Sequence, residues 1–277
     1  MPAHICKACG VQYPSAEGPP ASCKICDDER QYVPDAGQQW TTLDEMRASG
    51  YQSTFTEIEP GLTGIGTQPW FAIGQRPLLV QTPNGNALWD CNSYLDDDTI
   101  ARVRALGGVA AISASHPHFY GAVIEWSHAF GNAPVYLPRA DEQWITRPDP
   151  VVRLWAGSEE VLPGVTLVQT GGHFEGSAVL HWAAGAEGRG VLLTGDTIHV
   201  VQDKRYVTFM RSYPNQIPLP ESMVRAIVDA IRPYEFDRLY GGWWFATVPT
   251  DAKAAVERSA ERYIAWINDR RPRNLSS

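Results

Sequence analysis

From residue 51 onward, short apolar runs recur, each closed by glycine, proline or a polar cluster. Runs of this length with such boundaries read as strands. Strands are accordingly expected at Ser53–Ile58, Trp70–Ile73, Leu78–Gln81, Ala87–Trp89, 109–114, Pro134–Leu137, Val165–Gln169, Ala178–Trp182, Val191–Thr194 and Asp237–Tyr240. Pro83-Asn84-Gly85-Asn86 is a turn that pairs two of them as a hairpin. The glycines of Gly61-Leu62-Thr63-Gly64-Ile65-Gly66 lack the strand-then-helix context of a dinucleotide loop and read as a turn only. A period near 3.6 appears in Glu221–Arg232, where Met223, Ile227, Val228 and Ile231 share one side and Pro233 ends the run. It appears again near the end of the chain, through Val256, Ala260, Tyr263 and Ile267. Shorter helices are expected at Thr42–Arg47, between Asp96-Asp97-Asp98 and Gly107-Gly108, over about 120–130, and at Asp141–Ile145. This order of mixed strands and helices predicts two sheets sandwiched by helices.

The first 30 residues break the pattern. Four of the five cysteines lie there, as Cys6-x2-Cys9-x13-Cys23-x2-Cys26. Each Cys-x2-Cys turn offers two thiolates from one knuckle, and two knuckles make a closed tetrahedral zinc site with a structural role. Residues 1–32 are therefore expected to be a zinc-ribbon segment and 33–277 the main domain. Cys91, alone, reads as a buried small hydrophobe. The net charge of -8 argues against a nucleic-acid partner. No apolar run is long enough to span a membrane, and the start resembles no signal peptide, so a cytoplasmic location is expected. A protein partner or self-association through the ribbon is the further expectation for its contacts.

The chemistry gathers at strand ends. The run 109–114 leads into Ser115-His116-Pro117-His118, and if the extended backbone continues the two imidazoles face one side. Val165–Gln169 leads into Thr170-Gly171-Gly172-His173, Val191–Thr194 into Gly195-Asp196-Thr197, and Asp237–Tyr240 into Gly241-Gly242-Trp243-Trp244. If these edges converge, His116, His118, His173 and Asp196 share one site that suits Zn2+ or Fe2+.

His116-Pro117-His118, Gly171-Gly172-His173 and Thr194-Gly195-Asp196-Thr197 resemble, in order and spacing, the ligand motifs of the metallo-β-lactamase-fold superfamily. The resemblance runs from about Phe55 to Arg270 and includes Asp90. It implies an α+β fold, an αβ/βα sandwich of two mixed sheets flanked by helices, with its metal site at one edge. It also implies a hydrolase. Two departures matter. The family's His-x-His-x-Asp-His motif has Tyr120 at its Asp position and Gly121 at its last His. The family's final ligand histidine falls at or near Trp243. The resemblance thus implies one catalytic metal instead of two, held by His116, His118 and His173 with Asp196 as fourth ligand or hydrogen-bond acceptor.

The expected reaction is attack by a zinc-bound hydroxide on an ester, thioester, lactone or amide carbonyl of a small-molecule substrate. Asp196, His199 and Tyr120 are the candidates for proton handling, and Trp243, Trp244, Lys204 and Arg211 for substrate contact. Two cofactor ions are expected, one structural zinc and one catalytic zinc, with iron as the alternative at the catalytic site. Iron would make the protein an oxidoreductase like the persulfide dioxygenases, using His116, His173 and Asp196. A non-catalytic metal-binding interaction protein is the third reading.

Overall fold

The computed structural model describes residues 1–270. Two mixed sheets lie face to face. The first has seven strands in the order Val152–Trp155, Val135–Pro138, Ala111–Ser113, Gly85–Trp89, Leu78–Thr82, Leu62–Gln68 and Gln52–Glu59. The second has six, in the order Ser158–Leu162, Val165–Gln169, Ala178–Trp182, Val191–Leu193, Arg238–Tyr240 and Thr247–Val248. Ala111–Ser113 runs parallel to both of its neighbours, and Val191–Leu193 runs parallel to Arg238–Tyr240.

Side chains alternate across each strand, and here both faces are covered. Leu78, Val80, Ala87 and Trp89 of the first sheet meet Val165, Leu167, Leu180, Val191 and Leu193 of the second in the central layer. The intervening Leu79 and Leu88 point outward, onto Val103 and Ile124 of the helices Asp97–Ala105 and Val123–Ala129. Val179 and Leu192 point outward from the second sheet onto Val224, Ile227, Val256 and Ala260 of the helices Glu221–Ile231 and Ala252–Ile267. The result is an αβ/βα sandwich, as expected. Covering on both faces explains why these strands read as continuous apolar runs.

Two local expectations are corrected. The stretch Gly61–Gly66 is not only a turn, because Leu62–Gln68 is a central strand paired on both edges. Its glycines suit the position for a packing reason: a Cβ on Gly64 or Gly66 would press on the Trp244 ring, at 2.8 and 3.1 Å. Trp70–Ile73, expected as a strand, is loop, with Ala72 at φ 49° and Trp70 exposed. Strands Val152–Trp155 and Ser158–Leu162 were not expected. The latter is Ser-Glu-Glu-Val-Leu on a sheet edge, mostly solvent-facing, so it carries little apolar signal.

The N-terminal segment forms a small three-stranded sheet from Ala3–Cys6, Gln12–Ser15 and Trp40–Thr41. It does not stand apart from the sandwich. Its four cysteines, Val11 and Ile25 belong to the same buried cluster as Cys91, Tyr120, Ala122 and Ile124.

Candidate metal centres

The cysteine cluster is built from two knuckles that face each other. Cys6 Sγ lies 3.6 Å from Cys26 Sγ, Cys9 Sγ lies 3.7 Å from Cys23 Sγ, and all four are buried free thiols. Four thiolates at about 2.3 Å from one zinc have S···S edges of about 3.8 Å, which these separations match. Groups that support bound thiolates are also in place. Gln38 Nε2 donates to Cys6 Sγ at 3.1 Å and the Tyr13 hydroxyl to Cys23 Sγ at 3.4 Å.

The second centre sits where both sheets present their strand ends. His116 is extended, at φ -173° and ψ 172°, and Pro117 then starts a single 3-10 turn through Phe119. The extended geometry expected for the His-x-His pair therefore stops at His116, and it is the turn that brings His118 in. Proline suits the first position of that turn, where its missing N–H costs nothing. His173 lies on the loop after Val165–Gln169, and Asp196 on the loop after Val191–Leu193.

These four side chains converge. The His116 ring lies 5.0 Å from that of His118 and 4.8 Å from that of His173. Asp196 Oδ2 is 3.4 Å from His116 Nε2 and 3.7 Å from His173 Nε2. Tetrahedral ligands at about 2.0–2.1 Å from a zinc have edges of about 3.4 Å, so the set fits one ion. The three Nε2 atoms are buried with no hydrogen-bond partner among the described residues, a costly state unless a cation takes them. The opposite ring nitrogens are partly fixed: His173 Nδ1 meets the Met210 carbonyl at 3.0 Å, and His116 Nδ1 meets Ser115 Oγ at 2.9 Å. Such contacts set the tautomer that leaves Nε2 free.

Electrostatics favour the ligand forms. Burial, then the neighbouring imidazoles His116 and His173, push His118 well below its usual range. Burial, with His116 again, lowers His173 to about 3. Both rings are neutral at physiological pH, as metal binding needs. Burial alone would raise Asp196, but the His116 and His199 imidazoles outweigh it and hold the carboxyl well below the usual range.

The remaining sequence candidates fall into three groups. His199 and Trp243 border the centre. His199 Nδ1 stands 3.8 Å from Asp196 Oδ1, and its ring lies 4.5 Å from Tyr213 and 5.3 Å from Trp243. Trp243 packs on Phe119 and donates to the Ile73 carbonyl at 2.8 Å. Tyr120 faces another way, buried near Asp141 with its hydroxyl unpartnered among the described residues. Lys204 and Arg211 have protein partners: Lys204 donates to the carbonyls of Val201 and Phe245, and Arg211 pairs with Glu29 of the N-terminal segment. Trp244 is half-exposed, its ring 5.5 Å from the buried Arg76 guanidinium.

Comparison with known proteins places this architecture. Residues 75–243 match the metallo-beta-lactamase superfamily. The chain belongs to that superfamily. Curated YmaE of Bacillus subtilis (strain 168), described as uncharacterized, is 48% identical over 270 residues, 97% of this chain and 98% of that one. The metallo-β-lactamase DIM-1 superposes with a TM-score of 0.57 at 12% identity, over 76% of this chain and 97% of that one. The structure of VMB-1 gives 0.58 at 12% identity, over 78% and 98%. These two establish the shared fold.

Within that superfamily, Gly121 explains the missing histidine of the first motif. It has φ +50°, and a Cβ there would lie 2.3 Å from the Cys91 carbonyl oxygen and 2.7 Å from that of Asn92. No side chain fits without moving backbone. Several residues that shape the centre carried no sequence signal. Ser115, Asp141, Gln75 and Arg30 are ordinary polar residues until the fold buries them. Asp90 was visible only through the family resemblance. Its Oδ1 accepts from the Ser115 N–H at 2.7 Å, tying the loop before His116 to the neighbouring strand end. Asp141 accepts from the Gly176 N–H at 2.8 Å and steadies the His173 loop. The metallo-β-lactamase fold with its metal-binding cluster supports a hydrolase-type enzyme.

Proposed function

We propose that this protein is a hydrolase with a single catalytic zinc at His116, His118, His173 and Asp196, and a structural zinc at Cys6, Cys9, Cys23 and Cys26. The observation that carries the reading is the convergence of three buried Nε2 atoms and one carboxylate on one point. A zinc ion held there supplies Lewis acidity and lowers the pKa of its water to about 7. His118 Nε2 belongs to the cluster with the other two, which favours a three-imidazole site over a facial triad that leaves it out.

The chain's own groups then divide the work. Asp196 turns Oδ2 toward His116 and His173 and Oδ1 toward His199. His199, partly open to solvent at 21% side-chain exposure, is the group placed to pass protons between Asp196 and the outside. Tyr213 fixes both partners, since its hydroxyl donates to the Asp196 carbonyl at 2.8 Å while its ring faces His199. Trp243 fills the place of the family's last histidine, and Trp243 and Trp244 wall the approach for an apolar or aromatic part of an ester, thioester, lactone or amide. Tyr120, Lys204 and Arg211 are given no part in the chemistry.

The test is a panel of those four substrate classes, assayed with the zinc-loaded chain and with His199→Gln. Hydrolysis of one class that requires the His-site metal, and that falls about 100-fold in His199→Gln, is the expected result. Oxygen consumption by an iron-loaded chain with no hydrolysis would overturn it.

A further inference from the structure

Two buried side chains connect the cysteine cluster to the histidine cluster. Gln75 is 4% exposed, and its single amide nitrogen donates to the Cys9 carbonyl at 2.7 Å and to the His118 carbonyl at 3.0 Å. Both partners are acceptors, so the orientation of the amide is unambiguous. One side chain thus holds the backbone of a proposed ligand from each metal centre. The same knuckle is gripped next door, where Ser93 Oγ donates to the Gly10 carbonyl at 2.5 Å.

Arg30 makes the second link. It follows Cys26 by four residues and is 3% exposed. Asp28 locks its guanidinium, through Nε at 2.5 Å and through the second terminal nitrogen at 2.9 Å. The remaining nitrogen reaches the His173 carbonyl at 3.4 Å and Glu175 at 3.2 Å. Its plane covers the Phe174 ring at 3.8 Å, and that ring packs against all three histidines at 5.1–5.7 Å. A guanidinium stacked and hydrogen-bonded in this way is fixed far better than a lysine would be.

We propose that Gln75 and Arg30 are positioning residues through which the four-cysteine segment sets the metal affinity of the histidine centre. Gln75 holds the His118 turn and Arg30 the His173 loop, so order at the cysteine knuckles is order at the ligands. The inference rests on the proposed function in one respect, that the histidine centre binds a metal. Coupling of this kind is reciprocal: loading either site favours the other by the same factor.

The test titrates the full chain, with its cysteine-bound zinc retained, with Co2+ at the histidine centre, followed by absorption. Gln75→Leu and Arg30→Met keep bulk and remove the donors. Both are expected to weaken Co2+ binding about 10–100-fold while cysteine-bound zinc and far-ultraviolet circular dichroism stay at wild-type levels. Affinities within about twofold of wild type in both folded variants would overturn the proposal. Should either fail to fold, the unmutated chain decides. A mercurial thiol reagent that releases the cysteine-bound zinc is expected to weaken Co2+ binding at the histidines, and an unchanged affinity would overturn the proposal. A wild-type chain that takes up no Co2+ at the histidines would instead defeat the proposed function, and leave these residues nothing to position.

Discussion

At the scale of single residues, two buried groups yield sharp expectations. Asp141 is fully buried, and burial pushes its carboxyl up to about 7, the Gly176 N–H opposing in part. In the unfolded chain the group titrates near 3.8. Between those values the folded state holds a proton that the unfolded state has lost, so Asp141 makes stability fall as pH rises from about 4 to about 7. Asp141→Asn keeps an acceptor for Gly176 and removes the titration. The variant should gain on wild type by about 3 kcal/mol across that window, measured by urea unfolding at several pH values. A constant difference would show that Asp141 titrates normally.

Gly121 gives the second. Gly121→Ala adds a Cβ into the Cys91 carbonyl, whereas Gly131→Ala, at φ +73°, meets nothing within 4 Å. The control should lose about 1 kcal/mol from the backbone alone, and Gly121→Ala about 3 kcal/mol or more. Equal losses in urea unfolding would refute the steric account of the missing histidine.

At the scale of elements, the N-terminal segment is the instructive case. The spacing of its cysteines was legible because two knuckles at this separation have little other use in a chain. Its docking was not, because Gln12, Gln75 and Arg30 look like surface residues in sequence. Gln12 donates its N–H to the Gly121 carbonyl and accepts from Thr146, so the segment is tied to the end of the first motif and to the loop after Arg139–Trp144. We propose that 1–32 and 33–277 are distinct in sequence yet unfold together. Stripping the cysteine-bound zinc should lower the melting temperature of the whole chain in one transition, followed by calorimetry. A small early transition that leaves the main one in place would show an independent ribbon. Elsewhere, strands buried on both faces announced themselves by apolar runs. Edge strands such as Ser158–Leu162, and the glycine-rich Leu62–Gln68, did not, since their pairing is decided by neighbours far away in the chain.

At the scale of the whole molecule, the metal centre was legible as three separated motifs, each a glycine or proline turn after an apolar strand. What joined them was the sandwich itself, whose strand ends meet at one edge. The family resemblance supplied that fold, and the seven- and six-stranded sheets bear it out. The net charge is -8, and among the described residues no helix is long and apolar enough to cross a membrane.

The central claim is that this chain binds two metal ions in two unlike centres, and elemental analysis of metal per chain tests it most directly. The account predicts about two zincs in the wild type and about one in His116→Ala/His173→Ala, with the cysteine-bound ion retained. About one zinc in both proteins would contradict it, leaving the histidine cluster without a metal and the hydrolase without its chemistry.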